Sequence, residues 1–219
     1  MNAEPALVVF DFDGTLVHGD SMTGFAIEYV RRRPVRLLLM LPFLPVALVL
    51  MLVPPTRSFG VTLFWWLLTC GTRSRVFAEA LREYCRTTLA ARGHTATLAA
   101  FAEHLARGDA VVVATAAPAL VVHELLRERG LSGARVVGTR LSRCWGGFVT
   151  APHCIGATKV SELERRHGLT RWAEVYSDSD LDLPLMLRAS AVTLVAPSRW
   201  ARARIGARLG PEVPVRVIA

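Results

Sequence analysis

The stretch ALVVFDFDG, residues 6–14, constrains the fold more than any other part of this chain. Its apolar run is short and stops abruptly at two carboxylates and a glycine, the pattern of a buried strand that ends in a tight turn. Asp11 and Asp13 stand two apart, so both side chains leave the same face as the strand finishes, and Gly14 permits the turn. The pattern recurs in DAVVVATA (109–116), ARVVGTRL (134–141), AEVYSDS (173–179) and AVTLVAP (191–197). Helical stretches separate these strands at 21–33, 74–93, 94–108, 117–130 and 157–168, with a short one near 182–189, and WGGFVTA reads as a small hairpin. Strands alternating with helices predict an α/β chain, a Rossmann-like doubly wound parallel sheet covered on both faces. Functional residues should then gather at the carboxyl ends of the strands.

The chemistry-bearing residues do fall at those ends. Two carboxylates at 11 and 13 can divide labour, one attacking or holding a metal and the other shuttling a proton; taken alone, Asp-x-Asp is equally a solvated strand end. Asp178 and Asp182 follow another strand at i and i+4, on one face of a first helical turn, with Asp180 pointing elsewhere. Oxygens from Asp11, Asp13, Asp178 and Asp182 suit a hard cation, Mg²⁺, better than a soft transition metal. Among 26 cationic side chains Lys159 is the only lysine. A compact ammonium on a flexible stem fits a crowded phosphate pocket that a planar guanidinium would overfill. The surrounding GATKVS is not a Walker A loop, because G-x-x-x-x-G-K is missing. Thr115 ends the second strand, where its hydroxyl and the next backbone amides, at Ala116 and beyond, can hold phosphoryl oxygens.

In order along the chain, DFDGTL (11–16), Thr115, Lys159 and YSDSDLDLPLM (176–186) resemble the four motifs of the haloacid dehalogenase superfamily of phosphatases. The resemblance implies that Asp11 is the nucleophile of an aspartyl-phosphate and that Asp13 protonates the leaving oxygen and later activates water. It also implies that Thr115, Ala116 and Lys159 bind the phosphoryl group. Asp178 would ligate Mg²⁺ with Asp11 and the Asp13 carbonyl, while Asp182 supports that site or orients Lys159. Within the superfamily, in its subfamily IB, the chain is similar to the phosphatidylglycerophosphatase C branch. Shared features are an arginine cluster, an apolar Leu/Pro-rich stretch, LFWWLLTCG and the run from CWGGFVTA to ERRHG. That similarity implies release of the terminal phosphate of phosphatidylglycerophosphate. Ser177 stands where the superfamily often has glycine, as it does in this branch. Asp20 falls where related phosphoserine phosphatases carry an acidic residue that meets the substrate; here it either bonds a glycerol hydroxyl or caps the helix opening at Ser21.

One segment interrupts the α/β alternation. VRLLLMLPFLPVALVLMLVPP (35–55) and FGVTLFWWLLTC (59–70) supply much of the 52% hydrophobic content and the mean hydropathy of +0.36. Residues 37–53 would reach roughly 26 Å as a helix at ~1.5 Å per residue, marginal for a bilayer. Pro42 and Pro45 would kink it, and Pro54 and Pro55 would turn it back. Catalytic candidates lie on both sides of the segment, so an even number of crossings, or none, is required. The expected form is a kinked hairpin, re-entrant or barely spanning, with Trp65 and Trp66 at an interface and arginines at 31–33, 36, 73 and 75 keeping both ends on the cytoplasmic side. The predicted organisation is a discontinuous core, 1–20 and 106–219, and a helical, membrane-associated cap, 21–105, bearing the apolar hairpin at about 37–70.

The formal charge of +8 draws anionic partners. No basic, aromatic-interleaved stripe points to nucleic acid, so an anionic phospholipid and the membrane are the expected partners. Four cysteines without C-x-x-C spacing argue against zinc and disulfides and for a reducing compartment, with a packing role for Cys154. No signal peptide precedes the first strand, and the Arg/Ala/Gly/Pro-rich tail after Trp200 reads as loose. The expected location is the cytoplasmic membrane, with the catalytic core facing the cytoplasm. A phosphatase of a small soluble phosphomonoester, phosphoserine phosphatase-like, and a catalytically inactive membrane adaptor are the alternatives.

Overall fold

The computed structural model describes residues 5–150 and 156–218. Eight strands form: β1 (Leu7–Phe10), β2 (Ala110–Pro118), β3 (Arg135–Thr139), β4 (Leu141–Cys144), β5 (Gly147–Thr150), β6 (Trp172–Ser177), β7 (Ala189–Val195) and β8 (Val215–Ile218). Six of them make a parallel sheet in the order β3-β2-β1-β6-β7-β8, and β4 and β5 pair as an antiparallel hairpin. The α/β reading therefore holds. β1 is central, with Phe10 in register with Val113 on β2 and Tyr176 on β6. The residue after Phe10 is Asp11, so the sheet delivers that carboxylate to the middle of its carboxyl rim.

Among the described residues the α-helices are α1 (Ser21–Arg31), α2 (Val35–Met40), α3 (Leu44–Leu52), α4 (Arg57–Thr69), α5 (Ser74–Tyr84), α6 (Thr95–Ala106), α7 (Ala119–Glu128), α8 (Ala157–His167), α9 (Leu183–Met186) and α10 (Arg199–Gly206). The alternation of β1 divides two cores. Val8 and Phe10 face one cluster with Phe101, Val121 and Leu125, whereas Val9 faces another with Val112, Val175, Leu163 and Ile205. Phe10 stacks on Tyr176, ring centroids 4.2 Å apart.

The tail after Trp200 is not loose. Ser198 caps α10 by accepting from the Ala201 amide at 3.1 Å, and Ala201 and Ile205 bury against the sheet. The alternating VPVRVI then adds β8 as an edge strand beside β7. Its neighbouring Gly and Pro residues masked that period.

The apolar insertion folds back on itself, but in short pieces. Pro42 lies in the break between α2 and α3, Pro45 sits in the first turn of α3, and Pro54 and Pro55 form a single tight turn before α4. Among the described residues no helix is long and apolar enough to cross a membrane. This corrects the barely spanning form of the expected hairpin, as against the re-entrant one, and the location at the cytoplasmic membrane. Gly60 lets α3 and α4 meet closely, since a Cβ there would stand 2.7 Å from the Met51 amide nitrogen.

Several residues expected at a lipid interface have protein partners, while Leu38, Leu39, Phe43, Val49 and Leu52 of the same segment are exposed. Trp65 is buried against Phe25, and the Trp66 indole donates to the Cys144 carbonyl at 3.1 Å. Arg36 donates to the carbonyls of Leu68 and Cys70 at 3.0 and 2.9 Å and to the Thr72 hydroxyl. Arg33 lies over the Tyr29 ring, Arg32 pairs with Glu28 and Arg75 with Glu79. Cys70, Cys85 and Cys144 are free, while Cys154 lies outside the described residues.

Arg36 thus closes the base of the folded-back segment. Arg36→Met keeps the aliphatic stem and strands two part-buried carbonyls, and is expected to lower stability by about 2 kcal/mol, read as a fall in the urea midpoint at unchanged slope. An unchanged midpoint would show that the base is held by packing alone.

Candidate active site

Lys159, in the first turn of α8, is 5% exposed and reaches across the carboxyl rim of the sheet. Its ammonium donates to Asp11 Oδ1 at 2.7 Å and to Asp182 Oδ2 at 3.0 Å. Burial lowers its pKa, but the two carboxylates outweigh that and raise it. Asp11 is pushed well above the usual carboxylate range by burial, which Lys159 only partly opposes. Asp182 also accepts from Ser177 Oγ at 2.8 Å. Asp182 thus holds the lysine in place, the geometry of one of the two roles expected for it. Ser177, noted in the sequence only as a departure from glycine, supplies its second hydrogen bond.

Around this clamp the loop after β1 folds tightly. Gly14, at φ 75°, bonds back to Val17 and Gly19. A Cβ at Gly14 would come within 2.8 Å of Asp178 Oδ1, so the Asp178 carboxylate rests on bare backbone beside Asp13. Burial raises Asp178 as well. Asp13 Oδ1 accepts from the Ser21 amide at 2.7 Å, at the N-terminus of α1, and Asp13 is raised to about 6, chiefly by burial. Asp20 caps α1 by accepting from the Thr23 amide at 2.5 Å, which realises the capping reading. Asp180 pairs with Arg204 at 2.8 Å, away from the site.

Thr115 is buried where β2 breaks register with β3, and its hydroxyl accepts from the Ala117 amide at 2.9 Å. Ala116 is exposed between them. Ala116 and its neighbours Ala117 and Pro118 line a cavity of about 730 Å³ that also touches Asp13 and Asp20. Its walls are mostly apolar, built from α1 to α4 by residues such as Met40, Leu44, Leu48, Phe64 and Trp65, with Arg31 and Arg57 also lining it. Arg57 and the cavity were not singled out in the sequence, and Arg31 was read there only as a charge flanking the apolar segment. The spacing of apolar residues in the insertion was visible, but not which of them would face inward.

The donors fit a hard cation of modest demands. Among the described residues no three of His, Cys, Asp and Glu form a cage by themselves. Asp178 stands over the Gly14 backbone with no ion pair among the described residues, and Asp11 and the Asp13 carbonyl lie on the same loop. Two carboxylates and a carbonyl, completed by substrate and water, are what Mg²⁺ takes.

The family model of the haloacid dehalogenase-like hydrolases matches residues 8–187. The chain belongs to that family. Among solved structures, a protein of unknown function from Bordetella pertussis Tohama I is 20% identical over 98% of this chain and 99% of that one, with a TM-score of 0.76. A phosphoserine phosphohydrolase-like protein from Francisella tularensis subsp. tularensis SCHU S4 is 11% identical, covering 97% and 94%, with a TM-score of 0.63. A phosphoserine phosphatase captured as a phospho-aspartyl intermediate analogue is 13% identical, covering 98% and 94%, with a TM-score of 0.59. These likenesses share the haloacid dehalogenase-type fold; the family membership rests on the profile.

Asp13 makes a stability prediction. Its folded-state pKa is raised from 3.8 to about 6, so the folded form binds the proton more tightly. Its favourable contribution is complete below the lower value and is lost as pH rises through the higher one. Asp13→Asn should unfold later in urea than the parent at about pH 8, by ~1–3 kcal/mol, and lose that advantage near pH 4. A pH-independent difference would contradict the raised pKa.

Proposed function

We propose that this hydrolase cleaves phosphomonoesters through an aspartyl-phosphate on Asp11, with Mg²⁺ as cofactor. The observation that carries the reading is the buried ammonium of Lys159 held between Asp11 and Asp182 at the sheet's rim. A fixed cation in a dry pocket both neutralises the nucleophile's surroundings and attracts a phosphate dianion.

Asp11 attacks phosphorus as the P–O bond to the alcohol breaks. Asp13, raised toward neutrality, gives its proton to the departing oxygen and then takes one from the water that attacks the acyl phosphate. Thr115 and the amide at Ala116 would face the phosphoryl oxygens, with the Ala117 amide holding the Thr115 hydroxyl. Asp11, Asp178 and the Asp13 carbonyl would hold Mg²⁺, whose charge offsets repulsion between carboxylate and phosphate.

On substrate, the fold neighbours weigh toward the alternative drawn from the sequence, a small phosphomonoester in the manner of phosphoserine phosphatase, over phosphatidylglycerophosphate. A second reading rests on the cavity. About 730 Å³ of mostly apolar wall beside Asp13 and Asp20 suits a phosphomonoester with an apolar body, of which a phospholipid such as phosphatidylglycerophosphate is one. The full set of acidic and cationic groups speaks against an inactive adaptor.

Purified protein should release phosphate from a phosphomonoester only with Mg²⁺, and Asp11→Asn should lower the rate at least about a thousandfold. Phosphoserine, a short alkyl phosphate and phosphatidylglycerophosphate in detergent micelles, compared by kcat/KM, decide between the substrate readings. Failure to hydrolyse any of them would overturn the proposal.

A further inference from the structure

Three buried side-chain hydroxyls, of Thr15, Ser21 and Tyr84, make no hydrogen bond of good geometry among the described residues, and Tyr84 has the Arg92 guanidinium beside it. Thr15 and Ser21 belong to the segment that carries Asp13. Tyr84 does not. It comes from the end of α5, is 2% exposed, and its hydroxyl is aimed at Gly24 in the first turns of α1.

The same place holds a cation that the mechanism leaves unused. A Cβ at Gly19 would stand 2.5 Å from Arg92 Nη2, and a Cβ at Gly24 would stand 2.9 Å from Arg92 Nη1 and closer still to the Tyr84 hydroxyl. The Arg92 guanidinium therefore spans two glycines, one on each side of the α1 N-terminus, in a slot that side chains would fill. Gly19, at φ 72°, also needs its freedom for the turn.

The backbone of the same arginine is stitched to the Asp13 loop. Its carbonyl accepts from the His18 amide at 2.8 Å, Leu16 accepts from the His94 amide at 2.9 Å, and Val17 bridges Gly93. From the other side Arg129 of α7 donates to the Ala90 carbonyl. Segment 90–94 is thus fixed to the core and to the loop together.

We propose that Arg92, backed by Tyr84, is a positioning residue that sets the Asp13 carboxyl for proton delivery to the leaving oxygen. A guanidinium under the N-terminal turn of a helix opposes the positive end of the helix dipole. Such a placement is favourable only because the same turn gathers Asp13, through the Ser21 amide, and Asp20, through the Thr23 amide. Planar Arg92 spans both glycines at once, so moving it lets the turn shift, and the Asp13 carboxyl shifts with the Ser21 amide it accepts from. The inference rests on Asp13 acting as the acid. In that step the Asp11–phosphorus bond forms, the phosphorus–oxygen bond of the ester breaks, and the proton passes from Asp13 to the alcohol oxygen.

Leaving-group dependence tests it. A serine alkoxide needs that proton, whereas para-nitrophenolate leaves without it. The quantity to compare is kcat/KM with Mg²⁺ present, because it ends at alcohol release and excludes the water attack common to both esters. Arg92→Met is expected to lower kcat/KM for phosphoserine, or for the best alkyl phosphate found, about a hundredfold, and that for para-nitrophenyl phosphate less than about threefold. Gly24→Ala, which fills the slot and keeps the charge, should reproduce the split and covers the case in which Arg92→Met does not fold. Equal losses on both esters, or no loss on either, would overturn the proposal. A parent protein that hydrolyses neither ester would instead overturn the phosphatase reading itself.

Discussion

The interaction on which the site depends is the buried contact of one ammonium with two carboxylates. Lys159, Asp11 and Asp182 come from three separate elements, the first two 148 positions apart in the chain, and each is nearly excluded from water. Removing Lys159 would leave two uncompensated carboxylates in a low-dielectric pocket, which is far more costly than the net worth of the contact. The sheet must therefore bring β1, β6 and the start of α8 into one register. The parallel order β3-β2-β1-β6-β7-β8, with β1 and β6 adjacent, does this directly.

Burial has opposite effects on the two kinds of group here. It raises Asp11, Asp13 and Asp178, and it acts to lower Lys159, which the aspartates beside it outweigh. The site is held at a cost in stability that the two surrounding cores supply. The same desolvation suits the chemistry, since an acid near neutrality can both give and take a proton.

Much of this was legible in the residues. Short apolar runs ending in Asp11, Thr115 and Asp178 are enough to infer a parallel sheet and its functional rim, because a strand buried on both faces has few alternatives. The sole lysine proved to be the centre of the clamp. What stayed hidden depended on tertiary choice. Apolar content in residues 37–70 cannot distinguish a segment built for lipid from one that folds into short helices and walls a cavity, and the prolines at 42, 45, 54 and 55 decide only where helices break. Arg36 shows the same limit: an arginine beside an apolar run reads as a topogenic charge until its acceptors, the carbonyls of Leu68 and Cys70, are seen. The tail failed for a different reason, as Gly210 and Pro211 before VPVRVI and Pro214 within it obscured a four-residue edge strand.

The most direct test of the account is to trap the covalent species. Protein turning over a phosphomonoester with Mg²⁺ would be quenched in acid, reduced with borohydride to convert an acyl phosphate into homoserine, and mapped by mass spectrometry. Homoserine at position 11 is the predicted result; turnover with an unmodified Asp11, or homoserine at another aspartate, would contradict it.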